Sequence, residues 1–151
     1  MLETVIGPIG ALAGVVIGSI LTFVFTRRAQ TSKALHDARL ASFARLAATS
    51  MEYRRTLMAR WFADSDEAKA SVGSSVYETR SAAWAALFEV QLVARTQAVS
   101  DLAKEAVNVT DDIRDSTDQP DLALRADLSR TAVEAFIKAA RSETASKSRA
   151  T

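Results

Sequence analysis

The sequence predicts an all-α protein: a single N-terminal transmembrane helix, then an elongated antiparallel three-helix bundle or coiled-coil-like hairpin. Three observations predict it. Residues 4–26 form one uncharged apolar run closed by Arg27 and Arg28. Beyond residue 30 only Gly73 and Pro120 interrupt an alanine-rich chain with few aromatics, a helical composition. Apolar residues then recur at spacings of three and four, with no strand-type alternation and no repeat of 20–50 residues.

The first element is the run TVIGPIGALAGVVIGSILTFVFT. At about 1.5 Å per residue it reaches roughly 34 Å, enough to cross a hydrocarbon core of about 30 Å. A signal peptide would have a basic leader, a shorter run and a small-x-small cleavage site. Here Met1-Leu2-Glu3 precedes the run, and two arginines follow it. Pro8 falls in the first turn, where its missing N–H breaks no helical bond.

Charge sets the expected orientation. Arg27, Arg28, Lys33, Arg39 and Arg45 stand after the span against the single acid Asp37, while only Glu3 and the amino terminus precede it. Basic residues stay on the cytoplasmic side. The sequence thus predicts a single-pass protein of the inner (plasma) membrane, its short N-terminus outside and its long C-terminal part in the cytoplasm. Arg27, Arg28 and Lys33 would meet the lipid headgroups.

Gly10, Gly14, Gly18 and Thr22 recur every fourth residue, with Thr26 next in the series. They make one stripe of small side chains, a glycine zipper through which membrane helices can approach closely. The expectation is a homo-oligomer formed through this helix.

The domain organisation follows: residues 1–29 as tail and anchor, 30–145 as a cytoplasmic bundle, and 146–151 as a flexible tail. Helices are expected at about 31–62, 75–113 and 120–143. The first follows from Leu40, Phe43, Ala44, Ala47, Met51, Leu57, Met58, Trp61 and Phe62 at helical spacing, with nothing after Thr26 to stop the helix. Residues 63–74 read as a turn region, with a short helical turn opening at Ser65. Ser75-Val76-Tyr77-Glu78 has the form of a capping box. From there Ala85, Phe88, Leu92, Arg95, Val99, Leu102, Ala106, Val109 and Ile113 form a heptad seam interrupted by one charge. Pro120 and Asp121 suit a helix start, and Leu122, Ala126, Val133, Phe136, Ile137 and Ala140 give the last helix an apolar face.

Composition excludes several functions. There are no cysteines, hence no disulfide, thiolate catalysis or cysteine metal site. With Glu3, Arg27 and Arg28 set aside, the rest of the chain carries 17 basic and 17 acidic residues, which argues against a nucleic-acid partner. His36 is the single histidine and lacks E-x-x-H or H-x-x-x-H company, so it forms no metal site. The acidic groups Asp64/Asp66/Glu67 and Asp111-Asp112 lack calcium-loop spacing. No phosphate loop or catalytic triad is present. Asn108-Val109-Thr110 is a glycosylation sequon in form, but on the cytoplasmic side it would stay unmodified. No cofactor and no enzymatic activity are expected.

Two groups remain as candidate binding residues. Arg95 interrupts the seam, where a buried arginine would need a carboxylate partner or a wet site and could fix register or partner choice; the plainer reading puts it at the seam edge, reaching solvent. Arg54, Arg55 and Arg60, beside Tyr53 and Trp61, form a basic patch for an acidic partner. Together these features predict a membrane-anchored helical interaction or scaffold protein with an unknown protein partner. The alternative is a small oligomeric pore or holin-like effector lined by Ser19, Thr22 and Thr26, which no ionisable group inside the span supports.

Overall fold

The computed structural model describes the backbone of residues 6–145 and the side chains of residues 31–145. Every described element is helical: α1 (Ile6–Trp61), α2 (Asp66–Val93), α3 (Gln97–Asp111), a 3-10 turn (Asp112–Asp115) and α4 (Gln119–Ala145). The chain divides between Asp37 and Ala38 into two units, and the bundle belongs to the second. Among the described residues no helix is long and apolar enough to cross a membrane. The expected span at 4–26, its stripe of Gly10, Gly14, Gly18 and Thr22, and the flanking Arg27 and Arg28 lie outside the residues whose side chains are described. The tail 146–151 also lies outside them.

Side-chain pairs fix the topology. Arg39 reaches Val93, Arg45 reaches Glu89, and Thr56 meets Thr79, so α1 and α2 run antiparallel. Arg80 with Asp111 sets α2 against α3. Thr110 with Ser129, and Thr96 with Glu143, set α3 against α4. The result is an up-down-up-down four-helix bundle, where the sequence predicts three helices. The difference lies at residues 94–96, which break the expected helix 75–113 into two.

That break has no glycine or proline; side chains from the outer helices stabilise it on both sides. At the C-terminal end of α2, before the break, the Arg39 guanidinium donates to the Val93 carbonyl at 2.5 Å. At the N-terminal end of α3, after it, the Glu143 carboxylate accepts from the Arg95 and Thr96 backbone N–H groups at 2.9 and 3.0 Å and from the Thr96 hydroxyl at 2.8 Å. Helix ends leave such groups without backbone partners, and here α1 and α4 supply them.

The start of α2 also moves. Ser65 is the N-cap, its hydroxyl accepting from the Ala68 N–H, and the helix runs through Gly73 to Val93. The expected capping box at Ser75 and Glu78 therefore falls inside a helix. Gly73 is helical, and a Cβ built on it meets nothing within 4 Å. Gly73→Ala should raise the unfolding free energy by about 0.5–1 kcal/mol, through the lower entropy of the unfolded chain. Urea unfolding of the full chain in mild detergent, followed by circular dichroism, measures it.

The interior forms two layers. At the end holding the 94–96 break, Phe43, Leu46, Leu87, Val90, Val107 and Phe136 pack together, with the Phe43 and Phe136 rings edge to face at 5.9 Å and 89°. At the other end Tyr53, Leu57, Val76, Ile113 and Leu122 form the second layer. Between them the hydroxyls of Thr110 and Ser129 satisfy each other at 2.7 Å, both buried.

Candidate interaction surface

α2 is apolar on two opposite faces. One face, Val76, Ala83, Ala86, Leu87 and Val90, is buried in the bundle. The other carries Tyr77, Phe88 and Leu92, exposed at 74%, 57% and 86%. Half-buried Trp84 lies beside them, its ring 6.2 Å from that of Phe88. Tyr77, Trp84 and Phe88, with Arg80 and Ser81, line a shallow groove of about 470 Å³. Scattered exposed apolar residues are ordinary, but a contiguous aromatic strip marks a contact surface.

The strip stands on a rigid support. Tyr53 is fully buried and donates its hydroxyl to Asp111. Asp111 also accepts from Arg80 at 3.1 and 3.3 Å, so α1, α3 and α2 are tied at one carboxylate. Burial, and then the hydrogen bond to the Asp111 carboxylate, push the Tyr53 phenol well above its ordinary value of 10.0. A phenol that stays protonated longer when folded contributes stability that is complete below about pH 10 and is lost as pH rises beyond it. Alkaline titration should therefore weaken the bundle above that pH. In Tyr53→Phe this component of the pH slope should disappear, as read from urea midpoints at several pH values.

The expected site residues are placed as follows. Arg95 is exposed at the break, the solvent-reaching placement and not a charge buried in a seam. The groups engaged there are its backbone N–H and that of Thr96. The seam itself is out of phase before the break: Ala85, Phe88 and Leu92 face outward, whereas Val99, Ala106 and Ile113 are buried after it. The three patch arginines are separated. Arg54 donates to the Ala126 carbonyl of α4 at 3.0 Å. Arg55 pairs with Glu52 of its own helix at 2.5 Å. Arg60 is exposed and opens on a cavity of about 420 Å³ shared with Trp61, Lys69 and Arg114. Lys33 is exposed and His36 half-buried on α1.

Sequence reading missed Glu143, buried near the C-terminus. Its one sequence signal was Thr96, an N-cap residue type in an otherwise continuous helical stretch. Among the described residues no group of His, Asp and Glu is arranged to hold a metal ion.

The structure thus defines a helical-bundle protein with an aromatic face turned away from its own core. Residues 40–144, well over half of the chain, match the KilB plasmid transfer protein family. The chain belongs to that family, and the match covers the bundle almost end to end. No curated protein and no solved structure matches the chain.

Proposed function

We propose that this protein is a membrane-anchored helical interaction module that serves plasmid transfer. The observation that carries the reading is the exposed Tyr77–Leu92 strip of α2, an apolar face that the bundle leaves uncovered. The family supports the process, since its members are described as plasmid transfer proteins. The anchor comes from the uncharged run at 4–26, which is long enough to span a bilayer. The basic flank then sets the bundle on the cytoplasmic side. On this reading the anchor holds the bundle at the membrane, where DNA must leave one cell for another. The bundle recruits protein rather than nucleic acid, because residues 30–151 carry no net charge.

The test compares the full chain with a chain lacking residues 2–29, each supplied to a plasmid whose own copy of the gene is deleted. The full chain should remain in the membrane pellet after alkaline carbonate extraction and restore transfer to recipients. The shortened chain should appear in the supernatant and leave transfer impaired. Extraction of the full chain by carbonate, or full transfer with the shortened chain, would overturn the reading. Depolarisation of cells expressing the full chain, abolished by Gly14→Ile, would replace it with the pore.

A further inference from the structure

We propose that the aromatic strip of α2 is covered by the same strip of a second copy, the two α2 helices lying parallel about a two-fold axis. The inference deepens the interaction reading above and names its partner.

The strip is self-complementary. At 100° per residue, Ser81, Phe88 and Leu92 run close to its centre line. Arg80, Trp84 and Gln91 lie along one edge, and Glu78, Ala85 and Glu89 along the other. The core face of α2 (Val76, Ala83, Leu87, Val90) lies opposite that line, so the strip points straight out of the bundle.

A two-fold pair of helices brings the same patch of each copy together. When the helices are parallel, each edge meets the opposite edge of the copy. Trp84 then lies over Ala85 of the second copy, a large side chain above a small one. Glu78 lies beside Arg80 of the second copy, whose guanidinium is held by Asp111 through Nε and Nη2 and offers its remaining nitrogen. The centre line stacks Ser81 on Ser81 and Phe88 on Phe88, the arrangement of a coiled-coil seam. When the helices are antiparallel, like edges meet. Trp84 then crowds Trp84, and Glu78 faces a Glu89 already paired with Arg45, which leaves it no cation. Charge and size therefore both select the parallel pair, the orientation that two chains anchored in one membrane share.

The same charges disfavour a lipid surface as the occupant. A helix that lies on an anionic leaflet carries lysine and arginine beside its apolar face. Here the charges flanking the strip are balanced or acidic: Glu89 is paired with Arg45, Arg80 with Asp111, and Glu78 adds a further carboxylate.

The chain has no cysteine, so one introduced thiol reports one position. Disulfides form only where Cα atoms come within about 7 Å. Full-length Ser81→Cys and Phe88→Cys should each give a disulfide-linked dimer on mild oxidation in native membranes. Asn108→Cys, on an exposed position of α3, should stay monomeric. Ser81→Cys alters the strip little, so it guards against a loss of pairing caused by removing Phe88. Monomer at both strip positions, or a dimer at 108 as strong as at 88, would overturn the proposal. Dimer at Trp84→Cys without dimer at 81 and 88 would overturn the parallel arrangement in favour of the antiparallel one. The anchor is scored separately by carbonate extraction of the same samples. Linked but extractable chain removes the anchor and keeps the pair, whereas unlinked chain in the pellet removes the pair and keeps the anchor.

Discussion

Phe136→Ala should lower the unfolding free energy of the bundle by about 3–5 kcal/mol. The side chain is fully buried, contacts Phe43 edge to face, and belongs to the core layer in which all four α-helices meet. Removing the ring takes away its transfer free energy and leaves a cavity that the short side chains around it cannot fill. Among those neighbours are Ala103, Ala106 and Ala140. Domains of this size commonly have only about 5–15 kcal/mol in hand, so the variant should sit near its folding threshold. Urea unfolding of the full chain in detergent checks it. A loss under about 1 kcal/mol would mean that the layer is not packed as described.

Glu143→Ala should cost about 2–4 kcal/mol, the second-largest effect. The carboxylate accepts three hydrogen bonds at the start of α3. Bonds to charged acceptors contribute more than neutral ones, and truncation leaves their donors without partners. Glu143→Gln retains one acceptor oxygen and should fall between wild type and alanine. Hydrogen exchange adds a local readout. Amides at Arg95 and Thr96 should lose protection in Glu143→Ala, while those in the Phe136 layer should change only with global stability.

The sequence made the helical class legible because alanine-rich stretches almost free of glycine and proline leave little else to form. The start of α4 was legible as well, since Pro120 and Asp121 are strong local signals. The break at 94–96 was not. It depends on Arg39 and Glu143, which lie 54 and 47 residues from the groups they bind, and no local window contains both sides of such a contact. Losing the break turns four helices into three.

The phase of α2 was hidden for a different reason. Its buried face is lined largely by alanine and valine, small enough to bring helices close. The larger Tyr77, Phe88 and Leu92 face away from the core, with Trp84 half-buried at its margin. Hydrophobic periodicity is thus present on both faces, and the larger residues draw the reading to the wrong one. Arg95 looked like an intruder in a core because it continues the exposed face. The residues of the exposed strip were therefore visible in the sequence, but read as interior. Arg54 was similarly ambiguous: its role as a donor to an α4 carbonyl follows from packing, not from spacing.

The most direct test of the contact surface is plasmid transfer by a chain carrying Phe88→Glu and Leu92→Glu together. The two positions are exposed at 57% and 86%, so the bundle should keep its unfolding midpoint and the variant should partition on carbonate extraction as the wild type does. Burying two carboxylates in a contact commonly costs more than about 2 kcal/mol of association, and every 1.4 kcal/mol is about tenfold in affinity. Transfer to recipients should accordingly fall at least about tenfold, while Lys104→Glu and Asn108→Glu, exposed on α3, should transfer as wild type. Wild-type transfer by the doubly substituted, folded and membrane-bound chain would contradict the assignment of this face as the working surface.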